Sequence, residues 1–233
     1  MSNHFHLVIY SDPLTPNDWS ASEVVDRWLS VCPPRDYRGR IDDKRTQDVR
    51  LQLLNQPDKV VELRRKLGSV SVFMKLLKQP IARRANLEDR CGGHFFEQRF
   101  YSGALLDEAA VIAAMAYVDL NPVRAGIAER LEACRDTSIE QRLRHSTETV
   151  EAYLAPLMSG LAQRNRVGIS TSAYVDLLTS QLPRRSQDVP DRVVLWRKRL
   201  RVIGHRQRAF GALDILTQWL AARQLAMRET PLA

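Results

Sequence analysis

The chain has 233 residues, 44% of them hydrophobic, and carries 35 Lys and Arg against 27 Asp and Glu, for a formal net charge of +8 at pH 7. This is the make-up of a globular protein that buries a core, and the positive balance favours a polyanionic partner. It excludes a membrane-spanning protein, because no apolar run approaches the ~20 residues of a span, and the first ten residues lack the pattern of a secretory leader.

Residues 4–10 alternate, with His4, His6, Val8 and Tyr10 on one side of a predicted strand and Phe5, Leu7 and Ile9 on the other. Ser11-Asp12-Pro13 breaks it. A helix starts near Ser20 or Ser22, carries Val24, Val25, Trp28 and Leu29 as its apolar stripe and stops at Cys32-Pro33-Pro34. Residues 42–66 read as two short helices interrupted at Pro57. Residues 69–86 form a stronger helix with Val72, Phe73, Leu76, Leu77 and Ile81 in a stripe and Pro80 as the place for a kink. After the turn Cys91-Gly92-Gly93, the aromatic-rich run His94–Tyr101 reads as a strand or extended loop. Asp107 caps a helix through Ala109, Val111, Ile112, Met115 and Val118, and Pro122 ends it at Asn121. Beyond about residue 145 only helices are predicted, over 147–165, 171–182, 190–203 and 207–226, with Pro183–Pro190 as a linker. Pro183 to Arg208 holds nine Lys or Arg against Asp188 and Asp191, a net +7, which reads either as a solvated face or as a surface that tracks phosphates. Cys32, Cys91 and Cys134, odd in number and far apart, read as reduced thiols of a cytoplasmic chain. Two strands alone make a marginal sheet, so the first strand requires a partner from outside the recognisable segments.

Two short patterns carry chemistry. His4 and His6, at i and i+2 on a strand, point the same way and can share one divalent ion; the bland alternative is one hydrogen-bonded and one solvent-facing histidine. Tyr117 and Asn121, at i and i+4, share a helix side if the last turn persists, and an asparagine carbonyl suits a hard cation such as Mg²⁺ or Mn²⁺. The small residues Ala113, Ala114 and Ala116 would leave room for a substrate backbone. The alternative here is a core tyrosine followed by a helix-ending Asn-Pro.

Taken in order, Met1-Ser2-Asn3-His4-Phe5-His6-Leu7-Val8, Gly93-His94-Phe95-Phe96-Glu97-Gln98-Arg99-Phe100-Tyr101-Ser102 and Tyr117-Val118-Asp119-Leu120-Asn121-Pro122-Val123-Arg124-Ala125-Gly126 resemble three motifs of the HUH single-tyrosine transposases, closest to the REP-associated group and its longer relatives. The resemblance covers about residues 1–140. It implies an α+β fold around an antiparallel ferredoxin-like sheet, here incomplete and followed by an all-helical C-terminal region. It also implies that His4 and His6 hold a divalent metal with Asn121 as third ligand, that Tyr117 is the nucleophile, and that the family's substrate, single-stranded DNA near hairpins, is cut by a homodimer. The expected organisation is a transposase domain over 1–145 with a helical insertion at about 11–68, then a helical accessory region over 146–233. Family members carry a further strand, helix and strand before the histidine motif, so the chain reads as truncated at its N-terminus.

The expected reaction is cleavage and rejoining of single-stranded DNA through a 5′-phosphotyrosine link. A phenol, far more acidic than an aliphatic hydroxyl, suits it, and no phosphate loop is present to supply another energy source. Lys75, Lys78, Arg83, Arg84, Arg99 and Arg124 are the expected DNA contacts, with Phe95, Phe96 and Tyr101 as stacking surfaces or core residues. Cys91-x-x-His94 is half a zinc-finger spacing without its second half. The runner-up function, favoured by the truncation, is a DNA-hairpin-binding protein without catalysis; a water-using metal phosphodiesterase ranks third.

Overall fold

The computed structural model describes residues 5–145, 149–150, 168–182, 198–201, 203 and 208–229, with side chains through 223. The chain forms two compact units. One comprises residues 1–9 and 101–233, and residues 10–100 form the other, inserted in the first along the chain. Among the described residues, no helix is long and apolar enough to cross a membrane.

The unit of residues 10–100 is helical. After a 3₁₀ turn at Thr15–Asp18 come α1 (Ala21–Val31), α2 (Asp43–Leu54), α3 (Pro57–Leu67) and α4 (Val70–Glu88). Ser20 starts α1 with a full capping box: its hydroxyl accepts from Glu23 N, and the Glu23 carboxylate accepts from Ser20 N at 2.8 Å. Pro57 opens α3, where its missing N–H costs no helical bond. Val24, Val25 and Leu29 of α1 pack on Val60 and Leu63 of α3, flanked by Trp19, Trp28, Val49 and Leu53. Arg50 of α2 clasps Asp26 of α1 with two nitrogens, at 2.5 and 3.0 Å. The helix α4 runs unbroken through Pro80 but buries only Met74; Phe73 and Ile81 of its predicted stripe are exposed.

The other unit contains β1 (Ala104–Leu105), α5 (Glu108–Asp119), α6 (Asn121–Arg124), α7 (Ser138–Arg144), α8 (Thr171–Gln181), β2 (Ala209–Phe210) and α9 (Leu213–Glu229). Its core joins Ile112, Met115 and Ala116 of α5 to Leu131, Cys134, Ile139, Tyr174, Leu178 and Leu200. Asp107 works twice. Its Oδ1 accepts from Ala110 N at 2.7 Å and caps α5, while Oδ2 accepts from Ala212 N at 2.6 Å and fixes the segment after β2.

The expected antiparallel ferredoxin-like sheet is not there. Among the described residues the sheet consists of β1 and β2 alone, two residues each and parallel, with Ala104 opposite Ala209 and Leu105 opposite Phe210. Two physical features replace it. Residues 5–9 alternate in burial, His6 and Val8 half-buried and Phe5, Leu7 and Ile9 exposed, but Tyr10, expected on the side of His6 and Val8, is 61% exposed, and the segment joins no ladder among the described residues. Alternation sets which way side chains point and does not supply a partner. The run 94–101 is a loop: the rings of Phe95 and Phe96 meet edge to face at 5.0 Å, whereas neighbours on a strand point to opposite faces. Lys78 holds it there, its amine 4.2 Å from the Phe96 ring and donating to Gln98 O at 3.1 Å. The predicted helices at 147–165 and 190–203, the linker 183–190 and most of the basic stretch lie largely outside the described residues.

Candidate functional site

Tyr117 sits on the last turn of α5. The helix ends at Asp119, Leu120 is shared, and α6 starts at Asn121, with Pro122 in its first turn where no N–H is needed. Leu120 N still donates to Ala116 O and Arg124 N to Leu120 O, both at 3.0 Å. The chain therefore stays helical through the junction, and the i, i+4 relation of Tyr117 to Asn121 survives the proline.

Two side chains meet at the Tyr117 ring. The His6 imidazole lies edge-on to the phenol ring, with centroids 5.4 Å apart and planes at 78°. The Arg124 guanidinium stands 5.4 Å from the same ring. Val8 and Tyr117 are both half-buried residues packed against the same core cluster. His6 and Tyr117 are half-buried and Arg124 is exposed, so a protected aromatic contact ends in a charge facing solvent. Asn121 is half-buried and its Nδ2 is buried without a hydrogen-bond partner among the described residues. Turned over about its last torsion, that amide presents its oxygen at the same place.

These donors fit a divalent cation in kind: an imidazole nitrogen and an amide oxygen both suit Mg²⁺ or Mn²⁺. Among the described residues no three of His, Cys, Asp and Glu gather as a metal cluster. Of the three expected ligands His6 and Asn121 are described, and His4 lies outside the described residues. Ala113, Ala114 and Ala116 are 1%, 6% and 0% exposed; they are packed in the core and leave no room for a substrate.

The expected DNA contacts are divided between the units. Lys75, Lys78, Arg83, Arg84 and Arg99 belong to residues 10–100, Arg124 to the other unit. Lys75, Arg83 and Arg99 are exposed. Arg84 is exposed but paired with Glu88 at 2.8 Å, and Lys78 is half-buried on the 94–101 loop. Lys198 and Arg201, at the described end of the basic stretch, are exposed on either side of the buried Leu200.

Asp119, two residues after Tyr117, is the residue that the motif reading passed over. It is fully buried and accepts from Ser138 Oγ at 2.7 Å, Ile139 N at 3.0 Å and Tyr174 Oη at 2.7 Å. Burial pushes its carboxyl above the usual range, and the hydrogen bonds from Tyr174, Ser138 and Ile139 only partly offset this. Burial and the facing carboxylate push the Tyr174 phenol well above its ordinary value. The network ties the end of α5 to α7 and α8. No local pattern announces it, because its partners lie 19 to 55 residues away.

Comparison with protein-family models, with curated proteins and with solved structures finds no match for this chain.

Proposed function

We propose that the chain acts on single-stranded DNA as a strand transferase, with Tyr117 as nucleophile. The observation that carries this reading is the convergence of His6 and Arg124 on the Tyr117 ring, each with a centre 5.4 Å away. His6, 111 positions before Tyr117, and Arg124, seven positions after it, bring an imidazole and a guanidinium to one phenol.

In this mechanism Tyr117 Oη gives its proton to solvent water and bonds to phosphorus as the bond from phosphorus to the 3′-oxygen breaks. The freed 3′-oxygen takes a proton from water, and the reverse attack by a 3′-hydroxyl rejoins the strand. Splitting the exchange into two transesterifications keeps the bond energy in the phosphotyrosine. Arg124, exposed beside the ring, offers guanidinium donors to a phosphate entering there. His6 and Asn121 are the described residues that would hold a divalent cation, which when bound would stabilise charge on the scissile phosphate.

The second reading is hairpin binding without cleavage. It is favoured by the segment of residues 5–10, which joins no ladder among the described residues, because a ligand must be held rigidly to be effective.

One experiment separates the readings. Labelled single-stranded hairpin DNA is incubated with the full chain and with Tyr117→Phe, with Mg²⁺ or Mn²⁺ and with chelator. The strand-transferase reading expects a metal-dependent adduct that survives denaturant and disappears in the variant, which keeps the ring and its contacts. Shifted, uncut DNA assigns the chain to binding alone. Cleavage that persists in Tyr117→Phe assigns the attack to water.

A further inference from the structure

The segment between α1 and α2 uses an unusual amount of hydrogen bonding to hold one aromatic ring in the open. Residues 35–41 fold back on themselves, with Arg35 and Ile41 in an antiparallel bridge. Asp36 N donates to Arg40 O at 2.8 Å, Gly39 N to Asp36 O at 2.9 Å, and Asp42 N to Pro34 O at 3.0 Å. The Asp36 carboxylate organises the tip: Oδ1 accepts from both Arg38 N and Arg40 N at 2.9 Å, and Oδ2 accepts from Arg40 Nε at 3.1 Å. Arg35 Nη1 donates across the loop to Gly39 O at 2.8 Å. Gly39 takes a φ of +78°, with nothing within 4 Å of where a side chain would be.

At the tip Tyr37 is 88% exposed, the most exposed of the large hydrophobic residues described. The Arg38 guanidinium lies 5.1 Å from its ring centre. Arg35 and Arg40 each spend one edge on the loop, and a guanidinium has five N–H donors. Arg40 remains 70% exposed after pairing with Asp36. The result is an internally bonded loop that presents an exposed ring and three guanidinium groups, and a single carboxylate that is itself consumed in the scaffold.

We infer that the Arg35–Ile41 loop is a binding tip for single-stranded nucleic acid, with Tyr37 stacking on an unpaired base and Arg35, Arg38 and Arg40 taking the neighbouring phosphates. Base faces and phosphates alternate along a single strand at the spacing of a few ångströms that one ring and its adjoining cations span. An acidic protein surface would account for the arginines but not for a planar ring held out in solvent. Because the loop is internally bonded, binding orders little that is not already ordered. The inference rests on the proposed nucleic-acid substrate but on none of the residues assigned to cleavage.

The test is fluorescence anisotropy with labelled oligothymidylate and with duplex DNA of equal length. It uses the full chain carrying Tyr117→Phe, without divalent cations, so that only binding is read. Adding Tyr37→Ala is expected to weaken single-strand binding by about tenfold or more and leave duplex binding within about twofold, since a duplex offers phosphates but no open base. Tyr37→Trp should retain single-strand affinity, and Tyr37→Leu, of similar bulk without a π-face, should lose it. Equal losses on both DNAs, no loss with either Ala or Leu, or displacement by polyglutamate as readily as by oligonucleotide would each overturn the assignment. A chain that forms the Tyr117 adduct but ignores Tyr37 overturns this inference alone. A chain that forms no adduct yet loses single strands with Tyr37 overturns the cleavage reading alone.

Discussion

Asp119 and Tyr174 show what a single buried contact decides here. Replacing Asp119 by Ala strands the Ser138 hydroxyl, the Ile139 N–H and the Tyr174 hydroxyl in a place that water does not reach, and should cost about 3–5 kcal/mol of stability in denaturant titrations. The folded carboxyl titrates above its unfolded value. Its contribution is therefore complete below about pH 4 and diminishes as pH rises through the folded value, so the gap between the native chain and Asp119→Ala should narrow as pH rises from about 4. Tyr174 gives a second pH signature. Its folded phenol holds its proton above the pH at which the unfolded one loses it. Stability from Tyr174 is full below about pH 10 and is lost as pH climbs beyond. Denaturation midpoints should fall more steeply above pH 10 in the native chain than in Tyr174→Phe, and parallel curves would contradict this. Tyr117 differs from both, since it is half-buried beside an exposed arginine. Its phenylalanine variant should lose reaction and keep fold.

Helix starts were the most legible elements because their signals are local. Ser20, Asp107 and Ser170 each place a side-chain oxygen on the N–H three residues on, and the first two were predicted as start or cap from sequence. Ser20→Ala breaks a two-way capping box and should destabilise the helices of residues 10–100 by about 1 kcal/mol, read as a lowered midpoint in the helical signal. Proline positions were legible in part. Pro57 and Pro122 sit in first turns, so Pro122 begins α6 as much as it ends α5. The strands misled for a physical reason. Period-two alternation holds over residues 5–9, with His6 and Val8 half-buried, and fails at the exposed Tyr10; a strand becomes a sheet only through a ladder partner, and partner choice is non-local. At 94–101, aromatic content resembled strand propensity, while an edge-to-face ring pair and a lysine amine settled the run as a loop.

At the scale of the whole molecule the net charge of +8 divides evenly between the units, +4 over residues 10–100 (17 Lys and Arg, 13 Asp and Glu) and +4 over the rest (18 and 14). That distribution suits an extended polyanion better than a small anionic ligand. Sequence by itself determined the helices of residues 21–31, 43–88 and 108–119 with the starts at Ser20 and Asp107, the cationic surplus and the i, i+4 relation of Tyr117 to Asn121, because each depends on residues within a few positions of one another. Only the tertiary structure decided that His6 meets Tyr117 edge-on, that Ala113, Ala114 and Ala116 are buried, that Asp119 links α5, α7 and α8, and that the sheet among the described residues is a two-residue parallel pair. Those are contacts between segments tens to a hundred residues apart, fixed by burial and by pairing of polar groups, and no local pattern encodes which distant partner will satisfy them.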